Sequence, residues 1–265
     1  MKNRIQTQPL SFSLLLGILL ALLAVSVVLA DGGIDPTNKY AWSANAGWIN
    51  FADANGGVTV YSDHLEGYAW AENVGWIRLG SYDGGGSHSY ANDAANTYGV
   101  NNDGCGNLAG YAWGTNIGWI DFNPSDSQVT IDPVSGDFDG YAWGENVGYI
   151  HFQNASPAYK VNTSWRGPPG VAPTIGVDGV NVELDWSAAH GASSYNIYRA
   201  LDEPYFTPGS PYDNTMTMPW SDDDAAGDPA ENHYYIVRSV GCTGPIESDN
   251  SQRLGEFDFA LAPGS

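Results

Sequence analysis

One pattern is written four times in the first 165 residues: "KYAWSANAGWINF" from Lys39, "GYAWAENVGWIRL" from Gly67, "GYAWGTNIGWIDF" from Gly110 and "GYAWGENVGYIHF" from Gly140. The tyrosines fall at Tyr40, Tyr68, Tyr111 and Tyr141, giving steps of 28, 43 and 30 residues. Repetition on this scale means one supersecondary unit used several times. A second regularity defines the unit: seven residues after Phe51, Phe122 and Phe152 an alternating stretch begins, "VTV" at Val58, "VTI" at Val129 and "YKV" at Tyr159. Each unit therefore reads as three short strands. The segments are short, aromatic and β-branched, and Gly, Asn, Asp and Pro punctuate them, which favours strand over helix. Between the Trp and the next aromatic lies x-x-Asn-x-Gly, the chemistry of a hairpin turn. Three strands per repeat also suit a parallel β-helix, but the turn residues put the antiparallel hairpin first.

Alternation assigns faces, because successive side chains of a strand point to opposite sides. Ile49 and Phe51 share a face, as do Ile77 and Leu79, Ile120 and Phe122, and Ile150 and Phe152; this is the expected core. The opposite face carries Trp48 with Asn50, Trp76 with Arg78, Trp119 with Asp121, and Tyr149 with His151. A second member that changes from Asn to Arg to Asp to His does not describe a dry interior. These eight residues are the candidate binding residues, since flat aromatics beside polar groups stack on sugar rings or bury a partner's side chains. The same aromatics would also serve cross-strand packing with no ligand, or lie beneath a neighbouring sheet. Tyr40 and Trp42, with their equivalents in the other copies, are read as core. The extra length of the second step lies in "GSYDGGGSHSYANDAANT", Gly80 to Thr97, which reads as a mobile surface loop.

The chain begins with Lys2, Arg4 and an apolar run from Leu14 to Ala30, the order of a secretory signal with cleavage after Ala30. An uncleaved membrane anchor is the alternative. Secretion, or display at the cell surface, is the expectation, with no membrane contact beyond the signal. Without Lys2 and Arg4 the basic residues number 9 − 2 = 7 against 30 acidic ones, so the mature net charge is −23. Such a surface repels nucleic acid and anionic membranes, and its carboxylates attract basic partners or Ca²⁺. Ten Trp and sixteen Tyr rule out a disordered acidic tail. Two cysteines, Cys105 and Cys242, do not make a disulfide framework; an inter-domain bridge, a free thiol and an intermolecular bridge all remain open.

"RGPPGVAP", residues 166–173, reads as a linker. Beyond it Val182, Leu184 and Trp186 alternate onto one face, Tyr195 and Ile197 fall together, and "HYYIVRSV" from His233 is a further strand. The Leu-x-Trp, the Tyr-x-Ile-Tyr-Arg and the Tyr-rich strand ending Val237-Arg238-Ser239-Val240 resemble, in that order, a fibronectin type III domain over about 90 residues. Where that family often has a corner Tyr, His233 stands here, followed by Tyr234 and Tyr235. The repeats are similar to Tyr-Ala-Trp…Gly-Trp-Ile arrays of secreted bacterial proteins, a resemblance that confers no function. The expected architecture is all-β: a signal over 1–30, an antiparallel domain of four hairpin-based units over 31–165, the linker, and a fibronectin type III-like β-sandwich over 174–265.

Chemistry is hard to find. The five histidines are scattered, no Cys-x-x-Cys exists, and neither a Gly-x-Ser-x-Gly elbow nor a phosphate loop occurs. "SDDDAAGDP" from Ser221 lacks the spaced oxygen ligands of a calcium loop and reads as an acidic surface loop. The expectation is a non-catalytic protein with no cofactor, binding an extracellular protein or a polysaccharide. A carbohydrate-binding protein using the repeat aromatics is the alternative, and a glycan-active hydrolase a more distant one.

Overall fold

The computed structural model describes residues 31–227, 230–242 and 246–255; residues 1–30, read above as a secretory signal, lie outside them. Among the described residues there is no helix, and every strand pairing is antiparallel. The four Tyr-Ala-Trp motifs fold as four hairpins: Gly32–Ser43 with Gly47–Asn50, Leu65–Ala71 with Gly75–Arg78, Leu108–Gly114 with Gly118–Asp121, and Tyr141–Gly144 with Gly148–His151. They pair side by side, Asn50 with Trp70, Arg78 with Trp113 and Asp121 with Trp143. His151 then meets Trp42, and the eight strands close into a barrel.

The bore is set by a pairing of small against large. Ala41 stands opposite Ile49, Ala69 opposite Ile77, Ala112 opposite Ile120 and Ala142 opposite Ile150. All eight side chains are buried. An eight-stranded barrel has an interior just wide enough for side chains to fill, and four Ile alternating with four Ala fill it. Tyr and Trp of each Tyr-Ala-Trp flank the inward Ala, so they point outward. This corrects the reading of Tyr40 and Trp42 as core: both are on the outside, as are Tyr68, Trp70, Tyr111, Tyr141 and Trp143.

The two barrel ends close differently. At the hairpin tips the left-handed backbone falls on Gly148 (φ 71°) and its equivalents, so glycine makes the turn. The Asn has another task. Asn116 Nδ2 donates to the carbonyl of Val74 (2.9 Å), Asn146 to that of Ile117 (3.0 Å) and Asn45 to that of Val147 (3.2 Å). Asn73 completes the circle through its backbone N–H to Ala46 (3.3 Å). Each tip is thus hydrogen-bonded to the one before it, and Ala46, Ile117 and Val147 plug the opening.

At the other end Phe51, Leu79, Phe122 and Phe152 leave the barrel. Each sends its N–H back to the residue before the Tyr: Lys39, Gly67, Gly110 and Gly140. Their carbonyls accept from the N–H groups of Val58, Val100, Val129 and Val161 in the returning segments. At Gly140 (φ 84°) a Cβ would overlap the carbonyl of Gln128, which is why glycine precedes the Tyr there. Phe138 stacks on Phe152 (5.7 Å between ring centroids). Trp165 shares this core and donates from Nε1 to Ser62 Oγ (3.1 Å).

After Trp165 a second core begins. One sheet comprises Thr174–Asp178, Asn181–Asp185 and Trp220–Asp222; the other holds Asp213–Thr215, Ala192–Leu201, His233–Gly241, Ile246–Glu247 and Leu254–Gly255. Val182, Leu184 and Trp186 pack with Tyr195, Ile197, Tyr235 and Val237. The acidic run from Ser221 turns one carboxylate inward: buried Asp222 takes Arg199 Nη1 (2.7 Å) and the hydroxyls of Tyr235 (2.7 Å) and Tyr212 (3.1 Å). Cys105 and Cys242 form a disulfide across the two cores. Beside it His190 Nε2 meets the carbonyl of Asn102 (3.2 Å), and Ser239 Oγ donates to that of Pro169 (2.5 Å). The 166–173 segment is therefore partly buried and pinned.

Two substitutions test this account. Ala112→Leu should lower stability by about 1–3 kcal/mol in urea unfolding, because the bore has no room for extra methylenes. Asn116→Ala should cost about 0.5–1.5 kcal/mol, the net value of one hydrogen bond; a change within error would show that the ring of tips contributes nothing.

Candidate outer aromatic face

Because directly opposed residues of a hairpin share a face, the outward set follows from the register. In the first hairpin Trp42 opposes Trp48 and Tyr40 opposes Asn50. The next hairpin then adds Trp70 beside Asn50. The result is a station of Tyr, polar residue and Trp, repeated around the barrel: Tyr40–Asn50–Trp70, Tyr68–Arg78–Trp113, Tyr111–Asp121–Trp143 and Tyr141–His151–Trp42. The eight candidate residues all lie on this face, but the structure spreads them around the barrel and does not bring them to one point. Trp76, Trp119 and Tyr149 are exposed and Trp48 half-buried; exposure along the belt runs from 36% to 43% for the exposed rings.

The rings hold one another by edge contacts. Trp42–Trp48 and Trp70–Trp76 have centroids 4.9 Å apart, Trp143–Tyr149 4.7 Å and Trp113–Trp119 4.6 Å, with interplanar angles of 62° to 68°. Such pairs contribute about 0.5–1.5 kcal/mol beyond burial, so part of the belt serves the sheet. Each second aromatic is also flanked by the segment arriving from the preceding unit. Gly56 lies against Trp76, Tyr98 against Trp119 (5.0 Å), Tyr159 against Trp48 (5.2 Å), and Asp126 accepts a hydrogen bond from Tyr149. That carboxylate raises the Tyr149 phenol above its ordinary pKa.

The four polar members differ in character. Asn50 Nδ2 donates to Asp53 (3.2 Å). Arg78 pairs with Asp83 and lies 5.5 Å from the Tyr68 ring centroid. Asp121 accepts from the N–H of Asn123 (2.9 Å). His151 stacks on Tyr141 (4.1 Å, 5°) and meets the Tyr159 hydroxyl (2.9 Å); partial burial pushes its imidazole below the ordinary value, with Asp139 opposing. The face thus offers four equivalent shapes carrying an amide, a cation, an anion and an imidazole.

The 80–97 insertion is not the loose loop its composition suggests. It is tied to a buried cluster that sequence reasoning missed. His64 is fully buried, with Nδ1 2.6 Å from Asp63 and Nε2 2.9 Å from Glu66. Both carboxylates also grip the insertion: Glu66 accepts from the N–H of Gly85 (2.9 Å), and Asp63 from Ser87 Oγ (2.5 Å) and the N–H of His88 (3.0 Å). Tyr61 stacks on His64, His88 stacks on Tyr82, and the buried Tyr90 donates to the carbonyl of Leu65 (3.0 Å). The only signal in the sequence was "DHLE", an acid on either side of a histidine. Beyond this clamp, residues 92–95 of the insertion stand over Tyr98, Tyr111 and Trp119, and with Glu145 they bound a cleft of about 460 Å³.

The chain matches no protein-family model and no curated protein sequence.

Burial raises the Asp63 carboxyl, but its bonds from Ser87, His64 and His88 outweigh that and hold it below its ordinary value of 3.8. A carboxylate lowered in the fold stabilises above its unfolded pKa and loses that contribution as pH falls through its folded one. Hydrogen-exchange protection over residues 85–90, corrected for intrinsic rates, should therefore stay level from neutral pH down to about 4 and drop only below it. Asp63→Asn, with no carboxylate to titrate there, should lower protection at neutral pH and flatten the drop below about 4. A loss of protection already centred near pH 6 would show that Asp63 is not the holding group.

Proposed function

We propose that this chain is a secreted or surface-held, non-catalytic interaction protein whose barrel presents its outer aromatic belt to an extracellular partner. One observation carries the reading: the largest apolar side chains of the motif lie outside, while alanine occupies the inside. Contiguous exposed apolar surface is uncommon on a soluble monomer and marks interaction sites. The belt mixes rings with an amide, an arginine, an aspartate and a histidine, the composition of a binding surface. The disulfide and the leading apolar segment both suit an oxidising, extracellular location. The C-terminal part is read as fibronectin type III-like, its two sheets contributing to one core, and acts as a spacer or docking unit.

A polysaccharide is the second candidate partner, favoured by the recurrence of a polar side chain between a Tyr and a Trp at every station. Four repeated stations suit a repeating ligand, because engaging several at once multiplies weak affinities. A glycan hydrolase needs two carboxyl groups facing each other across a cleft, about 5–9.5 Å apart. Asp63 and Glu66, which converge on one histidine, are occupied by His64 and by the insertion.

Binding of fluorescently labelled mature protein to intact cells and to arrayed glycans tests this reading. Trp76→Ala should keep the fold, at about 1 kcal/mol for the lost Trp70 contact, and weaken retention several-fold. Adding Trp143→Ala should weaken it further. Retention that is indifferent to both would remove the aromatic belt from function, and retention on cells but on no glycan would sink the polysaccharide candidate alone.

A further inference from the structure

Three of the four stations are bordered by short connections, but the third hairpin has the insertion beside it. Asn92, Asp93, Ala94 and Ala95 form one wall of the 460 Å³ cleft, and Glu145, from the tip of the fourth hairpin, lines it as well. Its remaining lining is Tyr98, Tyr111 and Trp119. The tyrosines stand steeply to the indole, at 75° and 67°, with centroids 5.0 and 6.2 Å from it. The wall that carries Asp93 is itself fixed: Thr97 Oγ1 donates to Asp93 (2.7 Å) and Asn92 Oδ1 accepts from the N–H of Gly99 (3.0 Å). The cleft thus belongs to a held segment, clamped further back by His64, Asp63 and Glu66.

We propose that this cleft binds a cationic organic group, an ammonium on an apolar body, supplied either by a free alkylated amine or by a lysine side chain of a basic partner. The proposal rests on the reading that the outer face is where this protein binds. Two carboxylates and three aromatic rings line the cleft, with no Lys, Arg or His among its lining residues. Aromatic rings attract a cation through their negative faces, most strongly at Trp, and the carboxylates add charge of the same sense. The whole chain carries a formal charge of −21, so the long-range field also draws a cation inward. A neutral sugar is the weaker occupant. It stacks best on a flat, open platform, whereas these rings meet at steep angles.

The test is calorimetry and Trp indole NMR on the whole mature protein, with tetramethylammonium, an uncharged water-soluble analogue of similar size (neopentyl alcohol), a tetralysine peptide and a neutral hexasaccharide. The expected result is that tetramethylammonium binds at least about tenfold more tightly than the alcohol and shifts the Trp119 indole signal. The double variant Asp93→Asn/Glu145→Gln changes two exposed side chains, should melt as the parent does, and should lose about tenfold in affinity. Tetralysine binding with the same Trp119 shift, lost in the same variant, identifies a partner's lysine as the source; binding of the free amine alone identifies a small molecule. Equal binding of alcohol and ammonium, preference for the hexasaccharide, an unaffected double variant, or no binding at all would each overturn the proposal. If cell-surface retention still depends on Trp76 while these ligands fail, the outer-face reading stands and this one falls. If neither substitution matters, both fall.

Discussion

An alanine facing an isoleucine, four times around a ring, is the constraint on which the rest of the barrel depends. Eight strands enclose little space, and four Ile with four Ala take all of it. Nothing as large as Tyr or Trp fits beside them, so the flanking residues of Tyr-Ala-Trp are driven outward by the pleat. The aromatic belt is thus a by-product of a narrow bore, stabilised by its own edge contacts. It lies on the surface because the interior has no place for it.

Much of this was legible in the sequence, and the misses have physical causes. The hairpins, the Ile/Phe core and the outward Trp48, Trp76, Trp119 and Tyr149 follow from period-two alternation and turn chemistry. Alternation alone sorts residues of one strand into two faces without saying which is inner, and hydrophobicity ranks Trp above Ala. Recurrence in every copy points Tyr40 and Trp42 to the core, but a repeated surface belt recurs just as faithfully. The register across the tip would have placed them correctly, since Trp42 opposite Trp48 must share its face. Asn116 was read as a turn residue because its partner, the carbonyl of Val74, lies 42 positions away. The anchorage of the insertion was hidden for the same reason: His64 and its two acids precede it and look like an ordinary charged turn. The pairing of Cys105 with Cys242 needed the packing of one core against the other, which two isolated cysteines do not report.

Four equivalent stations, differing only in their central polar residue, make a surface that is uniform in shape and varied in charge. The insertion breaks that uniformity at one place only. It adds a wall of side chains from one segment, secured at its root by two carboxylates around a buried imidazole. The disulfide then fixes the barrel's Gly104 turn against the Gly191 turn of the second core. The barrel and the C-terminal part are thereby joined without a free joint.

The pairing of Trp42 with His151, Lys39 with Val161 and Ile34 with Thr163 has a temporal consequence. The first strand of the chain takes its last partners from residues more than a hundred positions later. Until these arrive, the first hairpin exposes an unpaired strand edge to any neighbouring chain. Such non-local closure slows folding relative to the local hairpins that precede it. The finished ring has no edge left to extend, so the interval before closure is when the barrel strands are open to strand-to-strand association with other copies of the chain.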